Sequence, residues 1–325
     1  MKHFSSRAVL VSAGLLIVAG CGSNPAGPPP TPRLTVTCPA AVEGQSPDGN
    51  PVAVSFDSPT TTGGVAPLNL SCSPVSGSLF SGGTTPVTCS ATDSRGVTAT
   101  CATSVFVRLP PRLVGTRIMA FGDSITAGRY SDPVRGLTIT ISPFAYPERL
   151  LPQLQGRYRQ QSISMVNEGV PGDMAHQEGV LRFRSTMVRH RPDIVLLMMG
   201  SNDILVPNGV ELAIQGLTTI IAQAKSAEFS ARVVLATIPP QRANVPPIRP
   251  FPQLVPVVNE RIRALAKTEN IPLADVYDAM KDNLSLIGED NLHPTPQGFE
   301  VIAKTFYDAI VANLEVPQPA ARAVR

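Results

Sequence analysis

The chain has 325 residues, of which 43% are hydrophobic and 16% are charged, and its formal net charge is +3. This length favours two domains, and the apolar content is sufficient for packed cores, which excludes an intrinsically disordered chain. Lysine and arginine form no cluster on any predicted helix or loop, so we expect no nucleic-acid partner.

Residues 1–21 have the pattern of an export signal. Lys2 and Arg7 provide a basic start, and the apolar run at 8–19 is too short to span a bilayer comfortably. The run ends in small residues followed by Cys21. This arrangement resembles the bacterial lipoprotein signal, in which the cysteine is lipidated and becomes the mature N-terminus. The resemblance implies an exported protein anchored to a bacterial membrane by Cys21; ordinary secretion with cleavage elsewhere is the alternative.

Two segments of different composition follow the signal. Residues 22–33 are rich in proline and glycine, which predicts an extended tether. Residues 34–108 contain short runs of alternating apolar and polar residues, separated by Gly, Pro, Asp and Ser. This pattern predicts a small antiparallel β-sandwich. The predicted strands lie at 34–37, 52–56, 68–71, 87–90 and 98–107.

The cysteines support export. Apart from Cys21, the four cysteines all lie within 34–108. An even number in a small exported domain predicts two disulfides, and the sequence permits three pairings. Because there is no C-x-x-C pair and no nearby histidine, we expect no zinc site. These four residues are Cys38, Cys72, Cys89 and Cys101.

The stretch 77–96 resembles a hyalin-repeat module, an immunoglobulin-like fold of extracellular proteins. The resemblance implies an immunoglobulin-like sandwich with disulfides Cys38–Cys101 and Cys72–Cys89. We interpret this domain as a spacer, because no aromatic cluster marks a ligand face. An adhesive or glycan-binding module is the alternative.

The pattern changes from about residue 116, where continuous apolar runs alternate with helical periodicity. Such runs are typical of strands buried on both faces, and their alternation with helices predicts an α/β fold with a parallel sheet between helices. In such sheets the functional site lies beyond the carboxyl ends of the strands. The predicted strands are 116–121, 164–166, 194–199, 233–238 and 271–276; the predicted helices bury Leu217, Ile220, Ile221 and Ala224, then Val258, Ile262 and Leu265, and finally Phe299, Ile302, Phe306 and Ile310 after an N-cap at Thr295.

Polar motifs lie at the ends of these predicted strands. Ser124 follows the first strand in a Gly-Asp-Ser sequence, Gly169 follows the second, and Asn202 follows the third in Gly-Ser-Asn-Asp. Before the last helix, Asp290 precedes His293 by three residues. Acyl transfer by serine needs a base, a group that fixes the tautomer of the base, and donors for an oxyanion. The spacing allows one imidazole nitrogen of His293 to face Asp290 and the other to face Ser124.

Other polar residues near these motifs receive different interpretations. Asp123 and Asp203 are interpreted as structural carboxylates that hold loops through backbone hydrogen bonds. His190 has no carboxylate three residues before it, whereas His176 follows Asp173 at that spacing. Of the two histidines with this spacing, only His293 lies directly beside a proline in a stiffened turn, so His293 is interpreted as the candidate base.

Taken in order, these motifs resemble those of SGNH hydrolases in the GDSL esterase/lipase family, over residues 116–314. Ile125 stands where the family name has leucine, a conservative departure. The resemblance implies a flavodoxin-like sheet with helices on both faces and a serine esterase that uses no cofactor and no metal.

The resemblance also implies residue roles. Ser124 would be the nucleophile, His293 the base, and Asp290 the residue that orients the base. The backbone N–H groups of Ser124 and Gly169 and the side-chain amide of Asn202 would form the oxyanion hole.

The substrate expected from the sequence is an ester of a small acyl group on a lipid or a glycan. Segments 129–145 and 239–256 follow strand ends, and we expect them to shape the pocket. A surface adhesion or glycan-binding lipoprotein with an inactive hydrolase domain is the alternative function. The tail, 315–325, is predicted to be disordered.

Overall fold

A computed structural model describes residues 31–132, 137–140, 142–243 and 251–319. The predicted signal with Cys21, most of the predicted tether and the end of the predicted tail lie outside these residues. Within the described part, the chain forms two compact units. The first comprises 31–40, 57–76 and 87–103, and the second comprises 41–56, 77–86 and 104–319.

Between residues 35 and 108 the structure contains eight strands, and no helix is described there. All five predicted strands are present, although the second is only two residues long. The other three strands were not predicted. The strands are β1 (Thr35–Thr37), β2 (Val42–Gln45), β3 (Val52–Ala53), β4 (Thr60–Thr62), β5 (Asn69–Ser73), β6 (Leu79–Phe80), β7 (Gly83–Thr92) and β8 (Thr98–Arg108).

Strand pairing and disulfides hold these strands together. In the first unit, β1 pairs antiparallel with β4, and β5 pairs antiparallel with β7, with Cys72 opposite Cys89. In the second unit, β3 pairs antiparallel with β6, and β2 pairs in parallel with β8. The disulfides are Cys38–Cys101 and Cys72–Cys89, the pairs that the hyalin resemblance implies. Two disulfides are typical of a protein that folds in an oxidising compartment.

The described part of the second unit continues with seven further strands. Five of them form a parallel sheet in the order β12-β9-β13-β14-β15, which is the flavodoxin-like order 2-1-3-4-5. The remaining two form an antiparallel hairpin. The strands are β9 (Arg117–Gly122), β10 (Arg129–Asp132), β11 (Leu137–Thr140), β12 (Ser164–Gly169), β13 (Ile194–Met198), β14 (Arg232–Ala236) and β15 (Leu273–Ala274).

Within the described ranges, six α-helices accompany this sheet. The three helices that the sequence predicts are present, and their predicted apolar stripes are buried. Thr295 caps the last helix, since its Oγ1 atom accepts a hydrogen bond from the N–H of Gly298 at 3.2 Å. Among the described residues, no helix is long and apolar enough to cross a membrane. The helices are α1 (Tyr146–Arg157), α2 (Val180–His190), α3 (Gly209–Lys225), α4 (Leu254–Glu269), α5 (Val276–Met280) and α6 (Pro296–Leu314).

Helices cover both faces of the sheet, as predicted. Side chains alternate along the buried strand β9, so that Ile118 and Ala120 join one apolar core and Met119 and Phe121 join the other. Helices α1 and α6 contribute to the first core, and helices α2, α3 and α4 contribute to the second. The carboxyl ends of the central strands are therefore fixed from both sides.

Candidate active site

The loops at the carboxyl ends of neighbouring strands carry the residues that the sequence singled out. Ser124 follows β9, which pairs with β12 on one side and with β13 on the other. Gly169 ends β12, and Asn202 lies four residues after the end of β13. His293 comes from the turn that precedes α6. Ser124 and His293 are only 5% and 6% exposed, so both residues are largely shielded from solvent.

A continuous chain of hydrogen bonds joins the serine to a carboxylate. His293 Nε2 lies 2.8 Å from Ser124 Oγ. His293 Nδ1 lies 2.6 Å from Asp290 Oδ2. The second carboxylate oxygen of Asp290 accepts the N–H groups of Leu292 at 3.1 Å and of His293 at 2.9 Å. Asp290 therefore fixes both the backbone of the turn and the plane of the imidazole.

The charge of Asp290 suits this position. Burial alone would raise the pKa of its carboxyl group, but the hydrogen bond and positive charge of His293, with the two backbone N–H groups, lower the pKa to about 2. Asp290 is thus a carboxylate at neutral pH and accepts the Nδ1 hydrogen of His293. The opposite nitrogen, Nε2, is then free to take a proton from Ser124.

Asp123, next to the serine, has the opposite electrostatic environment. Burial raises its pKa to about 7; the N–H of Ile125 opposes this shift, and the nearby carboxylates of Asp203 and Asp173 add to it. The N–H of Ile125 donates to Asp123 Oδ1 at 2.9 Å. This contact has the form expected of a carboxylate that holds a loop.

Asp203 is fully buried and accepts hydrogen bonds from another loop. Its donors are the N–H of Ala175 at 2.9 Å and the N–H of His176 at 3.2 Å. The Nδ1 atom of His176 lies 2.7 Å from Asp203 Oδ1. Asp203 thus holds the loop after β12 against the loop after β13.

Two of the predicted oxyanion donors are free to bind a ligand. Asn202 donates from Nδ2 to the carbonyl oxygen of Asp173 at 2.9 Å, which uses one of the two amide hydrogens and fixes the orientation of the side chain. The backbone N–H of Ser124 meets no acceptor within the described part of the chain.

Gly169 requires a correction. Its N–H donates to Asn167 Oδ1 at 3.0 Å, so the group expected to bind an oxyanion already has an intramolecular acceptor. A Cβ atom at this position would lie 2.1 Å from the backbone nitrogen of Ala127. Glycine is therefore needed here for close packing of β12 against the loop after Ser124.

Gly172 was missed by the sequence analysis and lies in the turn that follows β12. The N–H of Val170 donates to the carbonyl oxygen of Gly122 at 3.0 Å, which brings this turn to the end of β9. Gly172 is exposed and has a φ of +93°, a conformation that favours glycine. Over the residues that the structure describes, its N–H has no acceptor. The Pro-Gly dipeptide was the available signal, but it indicates only a turn.

Arg182 on α2 was also missed. Its Nη2 atom donates to the carbonyl oxygens of Gly122 at 2.9 Å and of Glu168 at 3.0 Å, and Nε donates to the carboxylate of Asp173. The guanidinium carbon lies 4.0 Å from the centroid of the Phe121 ring. Arg182 therefore joins the ends of β9 and β12 beneath the site, and a single arginine in a helical sequence gives no signal of this role.

Two cavities lie beside the loops of the site. One of about 890 Å³ borders the segment after Asp203 and includes Phe251. Another of about 810 Å³ borders the His293 turn and includes Tyr130, Phe144 and Arg242. The two segments expected to shape the pocket contribute to these walls, although parts of both lie outside the described residues. Across the described residues, no group of three or more His, Cys, Asp or Glu side chains is placed to hold a metal ion.

Residues 120–301 match the GDSL-like lipase/acylhydrolase family. The chain belongs to this family. As a GDSL-like member with the SGNH hydrolase fold, it is an ester-hydrolysing enzyme.

The chain is also similar to individual known proteins. An arylesterase from Vibrio mimicus is 21% identical over 198 residues, which cover 61% of this chain and 90% of the relative. The crystal structure of a lipase/acylhydrolase from Enterococcus faecalis is 25% identical with a TM-score of 0.52, and the match covers 63% of this chain and all of that one. The acetylxylan esterase Axe2 from Geobacillus stearothermophilus is 20% identical with a TM-score of 0.49, covering 61% of this chain and 96% of that one.

Proposed function

We propose that this protein is an extracytoplasmic, lipid-anchored carboxylic ester hydrolase that cleaves short-chain acyl esters through an acyl-enzyme on Ser124. The observation that carries the proposal is the hydrogen-bonded chain from Ser124 Oγ through His293 to Asp290. Membership of a lipase/acylhydrolase family supports the same bond specificity.

The first half of the reaction forms the acyl-enzyme. Ser124 Oγ attacks the ester carbonyl carbon while its proton passes to His293 Nε2, and the carbonyl oxygen becomes an oxyanion. The carbon–oxygen bond to the alcohol then breaks, and His293 returns the proton to the departing oxygen. Asp290 stabilises the imidazolium that exists between these two transfers.

The second half regenerates the enzyme. His293 takes a proton from water as the water oxygen attacks the acyl carbon, and a second oxyanion forms. The bond from this carbon to Ser124 Oγ breaks, the proton returns to Oγ, and the carboxylic acid leaves. Two products result from one ester and one water, with no redox step.

The oxyanion donors in this proposal are the N–H of Ser124, the amide of Asn202 and the N–H of Gly172, which replaces Gly169. The support for Gly172 is the position of its turn. Val170 binds to the end of β9, and the carbonyl oxygen of Asp173 binds Asn202, so the turn lies between the nucleophile and Asn202. Donors fixed in advance stabilise the developing charge without reorganising during the reaction.

The proposed location rests on sequence pattern and disulfides. The basic and apolar start that ends at Cys21 is typical of a lipoprotein signal, and the disulfides fit an oxidising compartment. We propose that residues 34–108 form a hyalin-repeat-like immunoglobulin sandwich that acts as a spacer between anchor and enzyme. Binding of a glycan or surface partner by this module is the alternative.

The proposed substrate is an ester of a small acyl group on a lipid or a glycan. Apolar side chains such as Leu205 and Phe144 line the two cavities beside the Asn202 and His293 loops. Ser124 is not part of either lining, but the apolar character of the neighbouring walls supports a short acyl chain. The similarity to an arylesterase supports an ester as the substrate.

Purified protein without residues 1–21 tests the proposal. We expect it to hydrolyse p-nitrophenyl acetate and butyrate, and we expect Ser124→Ala to abolish this activity. Ser185→Ala, at an exposed serine on α2, is the matched control and should keep wild-type turnover. Equal turnover by Ser124→Ala and the wild-type protein would contradict the proposed nucleophile.

A further inference from the structure

A second His–Asp pair lies beside the proposed catalytic one. His176 Nδ1 lies 2.7 Å from Asp203 Oδ1, a distance close to the 2.6 Å between His293 and Asp290. Asp203 is fully buried, and the side chain of His176 is 13% exposed. A hydrogen bond to a buried carboxylate is stronger than one between neutral groups, so we expect the bond between His176 and Asp203 to be strong.

The pair connects the two loops that carry proposed oxyanion donors. Asp203 is the neighbour of Asn202 in the chain, and His176 lies four residues after Gly172. A second bond, from Asn202 Nδ2 to the carbonyl oxygen of Asp173, joins the same two loops at 2.9 Å. The relative position of the Gly172 N–H and the Asn202 amide thus depends on these two side-chain links, together with the bonds that the N–H groups of Ala175 and His176 donate to Asp203.

The turn that carries His176 also packs against helix α3. Ala175–Gly179 is a π-helical turn. Such turns are rare overall, but they are found frequently at functional sites. This turn lies directly against α3, because a Cβ atom added to Gly216 would be 2.4 Å from His176 N and from the carbonyl carbon of Ala175. With Gly216 behind the turn and Asp203 bound to it, the segment has little freedom to move.

Among the residues that the structure describes, His176 has no contact that would make it the base. Its ring nitrogens lie near Asp203 and near the side-chain nitrogen of Gln177, at 3.1 Å. The ring nitrogen beside Ser124 belongs to His293. The pair formed by His176 and Asp203 therefore acts on the reaction only through the groups that it positions.

We propose that His176 is a positioning residue of the oxyanion hole: through its bond to Asp203 it sets the distance between the Gly172 N–H and the Asn202 amide. The inference rests on the proposed function, because it assigns a role within the same site. Misplacing a donor weakens binding of the oxyanion more than binding of the ester, so kcat should fall while KM changes little.

Three variants test this role. His176→Ala removes the Nδ1 donor, and His176→Asn places an amide N–H at nearly the same position, so that it should restore the bond. His190→Ala is the matched control, because His190 Nε2 also pairs with a carboxylate, Glu168, at 2.6 Å, but lies at the end of α2. The measurements are kcat and KM for p-nitrophenyl acetate, the inhibition constant of a phenylboronic acid that forms a tetrahedral adduct with serine, and Tm.

We expect His176→Ala to lower kcat by about 10- to 100-fold with KM within about threefold of wild type, since small displacements of positioned groups have effects of this size. The boronic acid should bind more weakly by a similar factor. We expect His176→Asn to recover most of kcat and His190→Ala to keep it. If His176→Ala does not fold, His176→Phe, which also lacks the Nδ1 donor, takes its place: a loss of kcat and boronic-acid affinity of about tenfold or more in folded His176→Phe, with both retained in His176→Asn and His190→Ala, supports the role.

The role is contradicted if kcat of His176→Ala stays within twofold of wild type. It is also contradicted if folded His176→Asn loses kcat tenfold or more, or if His190→Ala loses as much as His176→Ala. Failure of the proposed function has a different signature, because the wild-type protein would then be inactive or Ser124→Ala would be active.

Discussion

The imidazole Nε2 atom of His293 lies 2.8 Å from the hydroxyl oxygen of Ser124, although the two residues are 169 positions apart in the chain. One residue lies after the central strand β9, and the other lies before the final helix. The contact is therefore a product of the whole α/β fold. For each polar residue near this contact, the structure predicts a different effect of its replacement on activity or stability.

Replacing Asn202 tests the oxyanion hole. We expect Asn202→Ala to lose about 2.7–4 kcal/mol of transition-state stabilisation, the magnitude known for other oxyanion donors, with most of the loss in kcat. Steady-state kinetics with p-nitrophenyl acetate measure this. Asn313→Ala, near the end of α6, is the control and should be unaffected. An unchanged kcat in Asn202→Ala would show that this amide only holds the Asp173 turn.

Replacing Asp290 tests the orientation of the base. We expect Asp290→Asn to lower kcat by about 10²- to 10⁴-fold, because an amide N–H facing Nδ1 favours the wrong imidazole tautomer. Asp308→Asn, whose carboxylate pairs with Lys304 on α6, is the matched control. Both variants should be compared in kcat at neutral pH. Near-normal turnover of Asp290→Asn would leave the carboxylate with a purely structural role in its turn.

Asp123 gives a pH dependence of stability. Its pKa in the folded protein is raised to about 7 from the ordinary value of 3.8, so the folded state binds more protons than the unfolded state between these values. Its contribution to stability is complete below pH 3.8 and is lost as pH rises to 7. At 1.36 kcal/mol per pKa unit, the loss is on the order of 4 kcal/mol.

Asp123→Asn isolates this contribution, because the amide resembles the neutral acid and keeps an oxygen for the N–H of Ile125. Melting temperatures should be measured from pH 4 to 8. We expect the Tm of the variant to rise relative to the Tm of the wild-type protein as the pH increases. Parallel curves for the two proteins would mean that Asp123 ionises normally in the folded state.

Alanine substitutions at two glycines distinguish a steric effect on stability from an effect of backbone conformational entropy. Gly169→Ala should destabilise the fold by several kcal/mol, roughly the cost of overpacking a rigid site, because the new Cβ would lie 2.1 Å from Ala127 N. Gly156→Ala in α1 has open space around it and should stabilise the protein by about 0.5–1 kcal/mol. Urea unfolding of both variants measures the difference. A neutral Gly169→Ala would show that β12 can separate from the Ser124 loop.

Much of the α/β fold could be predicted because its signals are local. Buried strands such as Ile194–Met198 are continuously apolar, and α6 has a cap, a proline at its first position and a clear apolar stripe. Helix α1 was not predicted; it contains Pro147 and Pro152, residues that usually interrupt helices, but Pro147 occupies a favourable first-turn position. The final strand, Leu273–Ala274, is shorter than its apolar run because pairing ends where α5 begins.

The site was harder to predict where tertiary hydrogen bonds decide a role. Motif order indicated Ser124 and His293, but the sequence does not show which N–H near the end of β12 is already paired. Asn167 captures the N–H of Gly169, and only three-dimensional structure reveals this. Arg182 escaped notice for a similar reason, because it binds the carbonyl oxygen of Gly122, 60 positions away.

Covalent labelling of Ser124 tests the central claim most directly. Protein without residues 1–21 is incubated with a fluorophosphonate probe, digested and analysed by mass spectrometry, with Ser124→Ala treated in parallel. The account predicts one adduct per wild-type molecule, on the peptide that contains Ser124, and no labelling of the variant. An unlabelled wild-type protein, as expected of an inactive hydrolase domain, or equal labelling of Ser124→Ala would contradict it.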